Sequence, residues 1–178
     1  MTIRLLVVCV ASLVLLPSVV VGDYTLIAAN SEWKYDDSGT DNGETWGAIE
    51  FDDSGWASGP GPLGYGDGDE TTVIGFGGDE ANKYPTAYFR KTVEVYDTAS
   101  FTAALRFRAQ WDDGIKCFVN GVQAIVGNVP SPTLYTSLAF SPISNAAQER
   151  NYNIRDADVA ATLSNQQLSN AVKLKLHA

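Results

Sequence analysis

The acidic segment at residues 64–70, G-Y-G-D-G-D-E, has the composition of a cation-binding loop. Asp67, Asp69 and Glu70 fall within four residues of one another. Closely spaced oxygen ligands on a flexible Gly-rich loop suit a hard cation such as calcium, although the spacing differs from that of the helix–loop–helix calcium motif. The loop is therefore a candidate calcium site, and solvated loop charge is the alternative.

A second acidic pair, Asp112 and Asp113, precedes Gly114 and an apolar alternating run. These two carboxylates are further candidate metal ligands. The alternative is a turn in which both aspartates accept backbone hydrogen bonds and Gly114 takes a strained φ. For this pair the turn is the favoured interpretation.

Aromatic residues flank the same segments and suggest a surface for sugars. Exposed rings can pack against the apolar C–H faces of a sugar while carboxylates accept from its hydroxyls. Trp46 and Tyr65 lie inside Gly- and Asp-rich stretches, at residues 36–46 and 59–78, so they are expected to be more exposed than Trp33 or Trp56. The predicted ligand-binding residues are Trp46, Tyr65, Asp67 and Trp111. For any one ring, packing in the core is the alternative.

Catalytic arrangements are hard to assemble from this sequence. The only histidine, His177, is one residue from the end of the chain, where a Ser-His-Asp or Cys-His arrangement would have no firm support. HExxH, CxxC and phosphate-loop motifs are absent from the sequence. A pair of carboxylates of the glycosidase type would need a deeper cleft than a domain of this size usually offers. The sequence therefore predicts a protein that is not an enzyme.

The first residues have the order of a secretory signal peptide. A short basic start is followed by an apolar run, by Pro17 and by a small residue, Gly22. We therefore expect residues 1–22 to be removed and residues 23–178 to form one secreted domain. A membrane anchor is the alternative, but the apolar run is shorter than the ~20 residues that a span requires. The formal net charge of −9 disfavours nucleic acid and anionic membranes as partners.

The mature region alternates with a period of two, which is typical of β-strands. Strand patterns occur at residues 87–96, 105–109, 115–119, 122–126 and 172–176. Asn120-Gly121, between the third and fourth of these, is a strong hairpin signal. Only residues 156–168 have a weak helical pattern. The sequence predicts an all-β, antiparallel, two-sheet sandwich.

Three local details also follow from the pattern. Cys117 alternates with Ile115 and Val119, so a buried and unreactive thiol is expected. Arg90 and Lys91 lie on opposite faces of one strand, so one of them must turn inward, reach an edge or meet a carboxylate. The segment 51–56 is expected to be structural, with buried aromatic ends and side chains that cap a turn between them.

The order of several short motifs resembles the galactose-binding-domain-like β-sandwich modules of secreted proteins. The motifs are F-D-D-S-G-W at 51–56, P-L-G-Y-G-D-G at 62–68, Y-F-R-K at 88–91 and W-D-D-G at 111–114. This resemblance implies a jelly-roll fold and an accessory role in binding carbohydrate or a cell-surface glycan. The D-D-G motif is also similar to that of PA14-type domains, in whose adhesin members paired aspartates hold calcium in contact with sugar hydroxyls.

One departure from the jelly-roll pattern leaves another role open. Such modules usually continue past a strand like 171–177 into a further strand, whereas this sequence ends at Ala178. The expected sandwich would then lack its last strand and expose an edge that could pair with another chain. A structural or assembly protein, or a fragment of a larger secreted enzyme, is therefore the alternative to a carbohydrate-binding module.

Overall fold

Nearly all of the regular secondary structure in the described part of the chain is β-strand. The computed structural model describes residues 25, 27–66, 68–93, 105–143 and 149–154. The strands are β1 (Glu32–Asp36), β2 (Ala57–Pro60), β3 (Leu63–Gly64), β4 (Thr72–Val73), β5 (Tyr88–Arg90), β6 (Leu105–Gln110), β7 (Ile115–Val119), β8 (Val122–Gly127) and β9 (Glu149–Ile154). Within these residues the one helical element is a 3₁₀ turn at Thr45–Gly47. The all-β prediction is confirmed.

Three predictions concern residues near the two ends of the chain that the structure does not describe. The signal peptide at 1–22, the weakly helical segment at 156–168 and the final strand near 172–176 lie outside the described residues. The jelly-roll topology therefore stays a prediction.

The strands pair in four small sheets. β1 lies between β2 and β5 and is antiparallel to both. β3 and β4 form a short parallel pair, β6 pairs antiparallel with β9, and β7 pairs antiparallel with β8. The β7–β8 connection is the predicted Asn120-Gly121 turn, with φ of 50° and 83° at the two residues. Asn and Gly tolerate these positive angles better than other residues do, which is why this pair closes the hairpin.

One hydrophobic core joins the β2–β1–β5 sheet to the β7–β8 hairpin. Trp33 and Phe89 enter it from the sheet, and alternate residues of β7 enter it from the hairpin. Ile115 and Val119 are fully buried and Cys117 is 1% exposed, which confirms the predicted inward face and the buried thiol. The period-two pattern of β7 therefore reports its packing directly.

The other face of β5 is covered as well, by a loop instead of a strand. Tyr88 and Arg90 point away from the core side that Phe89 occupies, yet all three residues are buried. The covering segment runs from Trp46 to Trp56, and its rings pack edge-to-face or tilted against Tyr88, at centroid distances of 5.0 Å for Trp46 and 6.2 Å for Trp56. Phe51 packs on Trp56 at 5.6 Å. The 46–56 segment therefore packs on β5 as a layer of the fold, although it is a loop.

Arg90 fastens this covering segment to β5. Its side chain is 2% exposed. Nε donates to Oδ2 of Asp53 at 2.7 Å, Nη2 donates to the carbonyl of Ala48 at 3.1 Å, and Nη1 donates to the carbonyl of Trp46. Lys91 reaches the carbonyl of Glu32 at 2.8 Å. Of the three alternatives predicted for this pair of cations, Arg90 combines two, because it turns inward and meets a carboxylate.

We predict that Arg90→Lys destabilises the fold by about 2–4 kcal/mol. A lysine cannot reproduce the three-way fork, and each buried hydrogen bond to a charged group is worth about 1.5–3 kcal/mol. The matched control is the reverse exchange at the next residue, Lys91→Arg, which should change the free energy of unfolding by less than about 0.5 kcal/mol. Urea denaturation measures both. Equal effects at the two positions would show that Arg90 does not hold the segment.

The stability should also fall in acid because of Asp53. Burial on its own would raise the pKa of Asp53, but hydrogen bonds and charge from Arg90 and Lys34 outweigh it, and the pKa lies below the ordinary value of 3.8. A lowered folded-state pKa stabilises the protein above the ordinary pKa, and that contribution is lost as pH falls through the lower folded value. The free energy of unfolding should therefore decrease as pH drops below about 5.

In Asp53→Asn, the free energy of unfolding should decrease less steeply as the pH falls below about 5. Unfolding free energies measured across the pH range test this. The control is Asp79→Asn, because Asp79 is an exposed turn carboxylate whose hydrogen bonds come from Ala81 and Asn82 instead of from a cation. Its effect on the slope should be smaller. An unchanged slope in Asp53→Asn would contradict the prediction.

Candidate functional site

The predicted metal ligands of the 64–70 loop are only partly placed. Asp67 lies outside the described residues. Glu70 accepts a hydrogen bond through Oε2 from the backbone N–H of Gly68 at 2.9 Å, which closes the loop on itself. Asp69 is exposed, and its Oδ2 lies 3.5 Å from Nε2 of Gln110 at the end of β6. The loop therefore sits against the strand that leads into the second acidic pair.

In the second pair, the two aspartates differ. Oδ1 of Asp113 accepts from the backbone N–H of Ile143 at 2.7 Å, and its carbonyl accepts from Nδ2 of Asn128 at 2.9 Å. Asp113 thus ties the 128 and 143 segments together through a backbone hydrogen bond, which comes from a distant segment instead of from the turn itself. Asp112 is exposed. Burial raises the pKa of Tyr65, and the charges of Asp112 and Asp113 add to that rise.

Tyr65 is half-buried in this acidic region. Its ring packs on Phe76 with centroids 5.1 Å apart, and Nζ of Lys83 lies 4.7 Å from the ring centroid. Among the described residues, no group of three or more His, Cys, Asp or Glu side chains is arranged to hold a metal ion. Since Asp67 is not among those residues, calcium binding by this loop stays a prediction.

Gly114 departs from the expected conformation. It has no positive φ, so the predicted strained angle is wrong. A Cβ atom at this position would lie 2.5 Å from Cγ1 of Val129 and 3.5 Å from Cβ of Ala139. The absence of a side chain is therefore required for close packing against these neighbours.

The expected exposure of Trp46 is wrong. Trp46 is 4% exposed, because the 3₁₀ turn that carries it folds beneath Arg90 and presses the indole against Tyr88 and Phe118. Trp111 is 7% exposed and belongs to the hydrophobic core. Neither ring offers a face to a sugar. Trp56, by contrast, is only half-buried, so the order of exposure expected for Trp46 and Trp56 is reversed.

A surface groove of about 640 Å³ lies where β1 ends and β2 begins. We call it the β1–β2 groove, and its lining residues are Tyr35, Asp36, Asp37, Ser38, Asp52, Ser54, Gly55, Trp56 and Ala57. The antiparallel register pairs Tyr35 with Ala57. That pairing brings together the 36–38 segment and the 52–56 segment, which the sequence had suggested for different roles. Of the predicted ligand-binding residues, Trp46, Tyr65 and Trp111 are described, and none of these three lines the groove.

Backbone hydrogen bonds hold the groove carboxylates in place. Asp36 accepts from the N–H of Ser38 at 3.0 Å and from Nδ2 of Asn42 at 2.6 Å. Oδ1 of Asp52 accepts from the N–H of Ser54 at 2.9 Å. Asp37 accepts from the N–H of Gly75, which anchors the rim to the segment after β4. Each carboxylate is thus oriented by its own local turn or by a neighbouring loop.

The hydrogen bonds also keep two of these groups ionised. Burial on its own would raise the pKa of Asp36, but the hydrogen bonds from Ser38 and Asn42 outweigh it and the pKa is lowered. The backbone N–H and the side chain of Ser54 lower the pKa of Asp52. The groove therefore combines fixed negative charge with the exposed part of an indole ring.

We predict that Gly114→Ala destabilises the protein by about 1–3 kcal/mol, because the added methyl group overpacks the contact with Val129. The control is Gly55→Ala, where a Cβ atom would meet nothing within 4 Å and φ is not positive. That variant should change stability by less than about 0.5 kcal/mol. Thermal unfolding followed by circular dichroism measures both, and equal melting temperatures for the two variants would contradict the packing argument.

No protein-family model matches this chain, and no curated protein matches it either. Among the residues that the structure describes, no helix has the length and apolar character needed to cross a membrane.

Proposed function

We propose that this protein is a secreted, non-catalytic carbohydrate-binding module whose ligand lies in the β1–β2 groove. One observation carries the proposal. The groove places the half-exposed indole of Trp56 and the phenol of Tyr35 beside three carboxylates, Asp36, Asp37 and Asp52. Apolar rings next to a few fixed polar groups are the usual composition of a site for small polar ligands.

The chemistry of a sugar fits these two kinds of group. Its C–H faces pack on aromatic rings, and its hydroxyls donate to carboxylates in charge-assisted hydrogen bonds, which are stronger than neutral ones. Phe51 and Tyr88 pack against the indole ring of Trp56. Backbone N–H groups donate hydrogen bonds to the carboxylates of Asp36 and Asp52 and hold them in place. A site that is ordered before binding loses less conformational entropy when the ligand arrives.

The carboxylates of the groove favour binding over hydrolysis. A glycosidase needs one carboxyl group whose pKa is raised, so that it can protonate the leaving oxygen. The pKa values of Asp36 and Asp52 are both lowered instead. These two groups would remain acceptors at neutral pH, which supports a role in recognition.

The remaining parts of the proposal rest on the sequence and on the shared core. The order of residues 1–22 supports secretion. The core shared by the β2–β1–β5 sheet and the β7–β8 hairpin is compatible with the jelly-roll sandwich that the motifs imply. Calcium, held by the acidic loop at 64–70 with Asp112, is proposed as an accessory ion that orders the loops around Tyr65.

We predict that the folded protein is retarded in native gels that contain soluble glucan, galactan or chitosan, and that Ala57→Trp abolishes this retardation. Ala57 is exposed and lines the groove, so a bulky ring there should occupy it without disturbing the core. Ser58→Trp is the matched control. Ser58 is also exposed and is the next residue of β2, but it does not line the groove.

The outcomes separate the parts of the proposal. If the wild-type protein is retarded by none of the polysaccharides although its circular dichroism shows a folded state, carbohydrate binding is refuted. If Ala57→Trp and Ser58→Trp bind alike, the ligand lies elsewhere on the molecule. A parallel gel with EDTA tests the ion, because binding that is unchanged by EDTA removes calcium from the proposal.

A further inference from the structure

The β1–β2 groove has charge of one sign. Its described lining includes three aspartates and no lysine, arginine or histidine. Asp52 is fully exposed, and Asp36 and Asp37 are at the opposite wall, at the end of β1. A ligand in this groove therefore meets negative charge from both sides.

The two cations on the adjoining strands, Lys34 and Arg90, bind Asp53, which does not line the groove. Nζ of Lys34 donates to the carbonyl of Asp53 at 2.8 Å and to Oδ1 of its side chain at 3.0 Å. Arg90 is bound to Oδ2 of the same side chain. Asp53 thus accepts hydrogen bonds from both cations, while its neighbour Asp52 lines the groove.

The aromatic ring strengthens the preference that this charge creates. The face of an indole attracts an ammonium group through its quadrupole, more strongly than a tyrosine or phenylalanine ring does. Trp56 lies in the groove with Asp52 and Asp36, so one ammonium can meet both a ring and a carboxylate. A neutral sugar gains only the ring contact and hydroxyl bonds, and a uronic acid is repelled.

We infer that the groove selects saccharides with free, protonated amino groups, such as glucosamine polymers, over neutral and acidic ones. This inference rests on the proposed function and names its ligand class. The preference should be about tenfold in dissociation constant at low salt, which corresponds to about 1.4 kcal/mol. It should weaken as salt shortens the ~10 Å Debye length of a 0.1 M solution.

The experiment is calorimetric titration of the full chain with three oligosaccharides of equal length. They are a glucosamine oligomer, its N-acetylated counterpart and a uronic acid oligomer, used at a pH where the amine is protonated and the carboxylates are ionised. We expect the glucosamine oligomer to bind about ten times more tightly than the N-acetylated one, and the uronic acid oligomer to bind most weakly.

Asp52→Asn tests the groove charge, and Asp79→Asn is its matched control. In both turns, Oδ1 of the aspartate accepts from a backbone N–H two residues on, at 2.9 Å, and asparagine keeps that oxygen. Both variants lose one negative charge, but only Asp52 lines the groove. Asp52→Asn should weaken glucosamine binding several-fold and N-acetylated binding to a smaller extent, while Asp79→Asn should change neither.

The possible results distinguish this inference from the proposed function. Binding of the N-acetylated oligomer as tight as that of the glucosamine oligomer, or equal effects of the two aspartate variants, would overturn the charge selection but leave carbohydrate binding standing. Binding of none of the three would remove both. An oligolysine peptide that binds as tightly as the glucosamine oligomer, and is unaffected by Ala57→Trp, would show general attraction to an acidic protein and would also overturn the inference.

Discussion

The buried guanidinium of Arg90 is the constraint on which the outer layer of this fold depends. An isolated charge in that position would cost several kcal/mol in lost hydration, so it must be surrounded by acceptors. The acceptors are one carboxylate and two backbone carbonyls, and all three belong to the segment from Trp46 to Asp53. The segment is therefore held on β5 by the need to satisfy the cation, as well as by the packing of its rings.

The surface groove follows from the same attachment. Asp53 is at the centre of a short turn, with Asp52 before it and Trp56 after it, and the N–H of Trp56 donates to the carbonyl of Asp53 at 3.1 Å. The side chain of Asp53 points inward, where it binds Arg90 and Lys34. The side chain of Asp52 is therefore left exposed to solvent. Two adjacent aspartates thus differ in role, since one neutralises buried charge and the other presents charge to solvent.

Local patterns in the sequence predicted the local parts of the fold. The alternation at 115–119 and the Asn120-Gly121 turn are properties of a few consecutive residues, and both predictions are confirmed. The position of Trp46 could not be obtained in this way. Its Gly- and Asp-rich surroundings are typical of an exposed loop, whereas its burial depends on β5, more than 40 residues further along the chain.

The groove was missed for a related reason. The 36–45 segment had been noted as a ligand loop and the 51–56 segment as a structural turn, but only the β1–β2 register brings them together. Asp113 is a similar case, because its hydrogen bonds come from Asn128 and Ile143, which lie far from it in the sequence. Sequence signals are strongest where the partner is near in the chain.

Three carboxylates around one open groove repel one another, and this repulsion lowers the stability of the unliganded protein. The hydrogen bonds to Asp36 and Asp52 offset it by lowering the pKa values of these two groups, which favours their ionised forms. A cationic ligand would relieve the repulsion directly, and by mass action it would stabilise the folded state. The stability of this edge of the sheet therefore depends on the charge of the ligand that is bound in the β1–β2 groove.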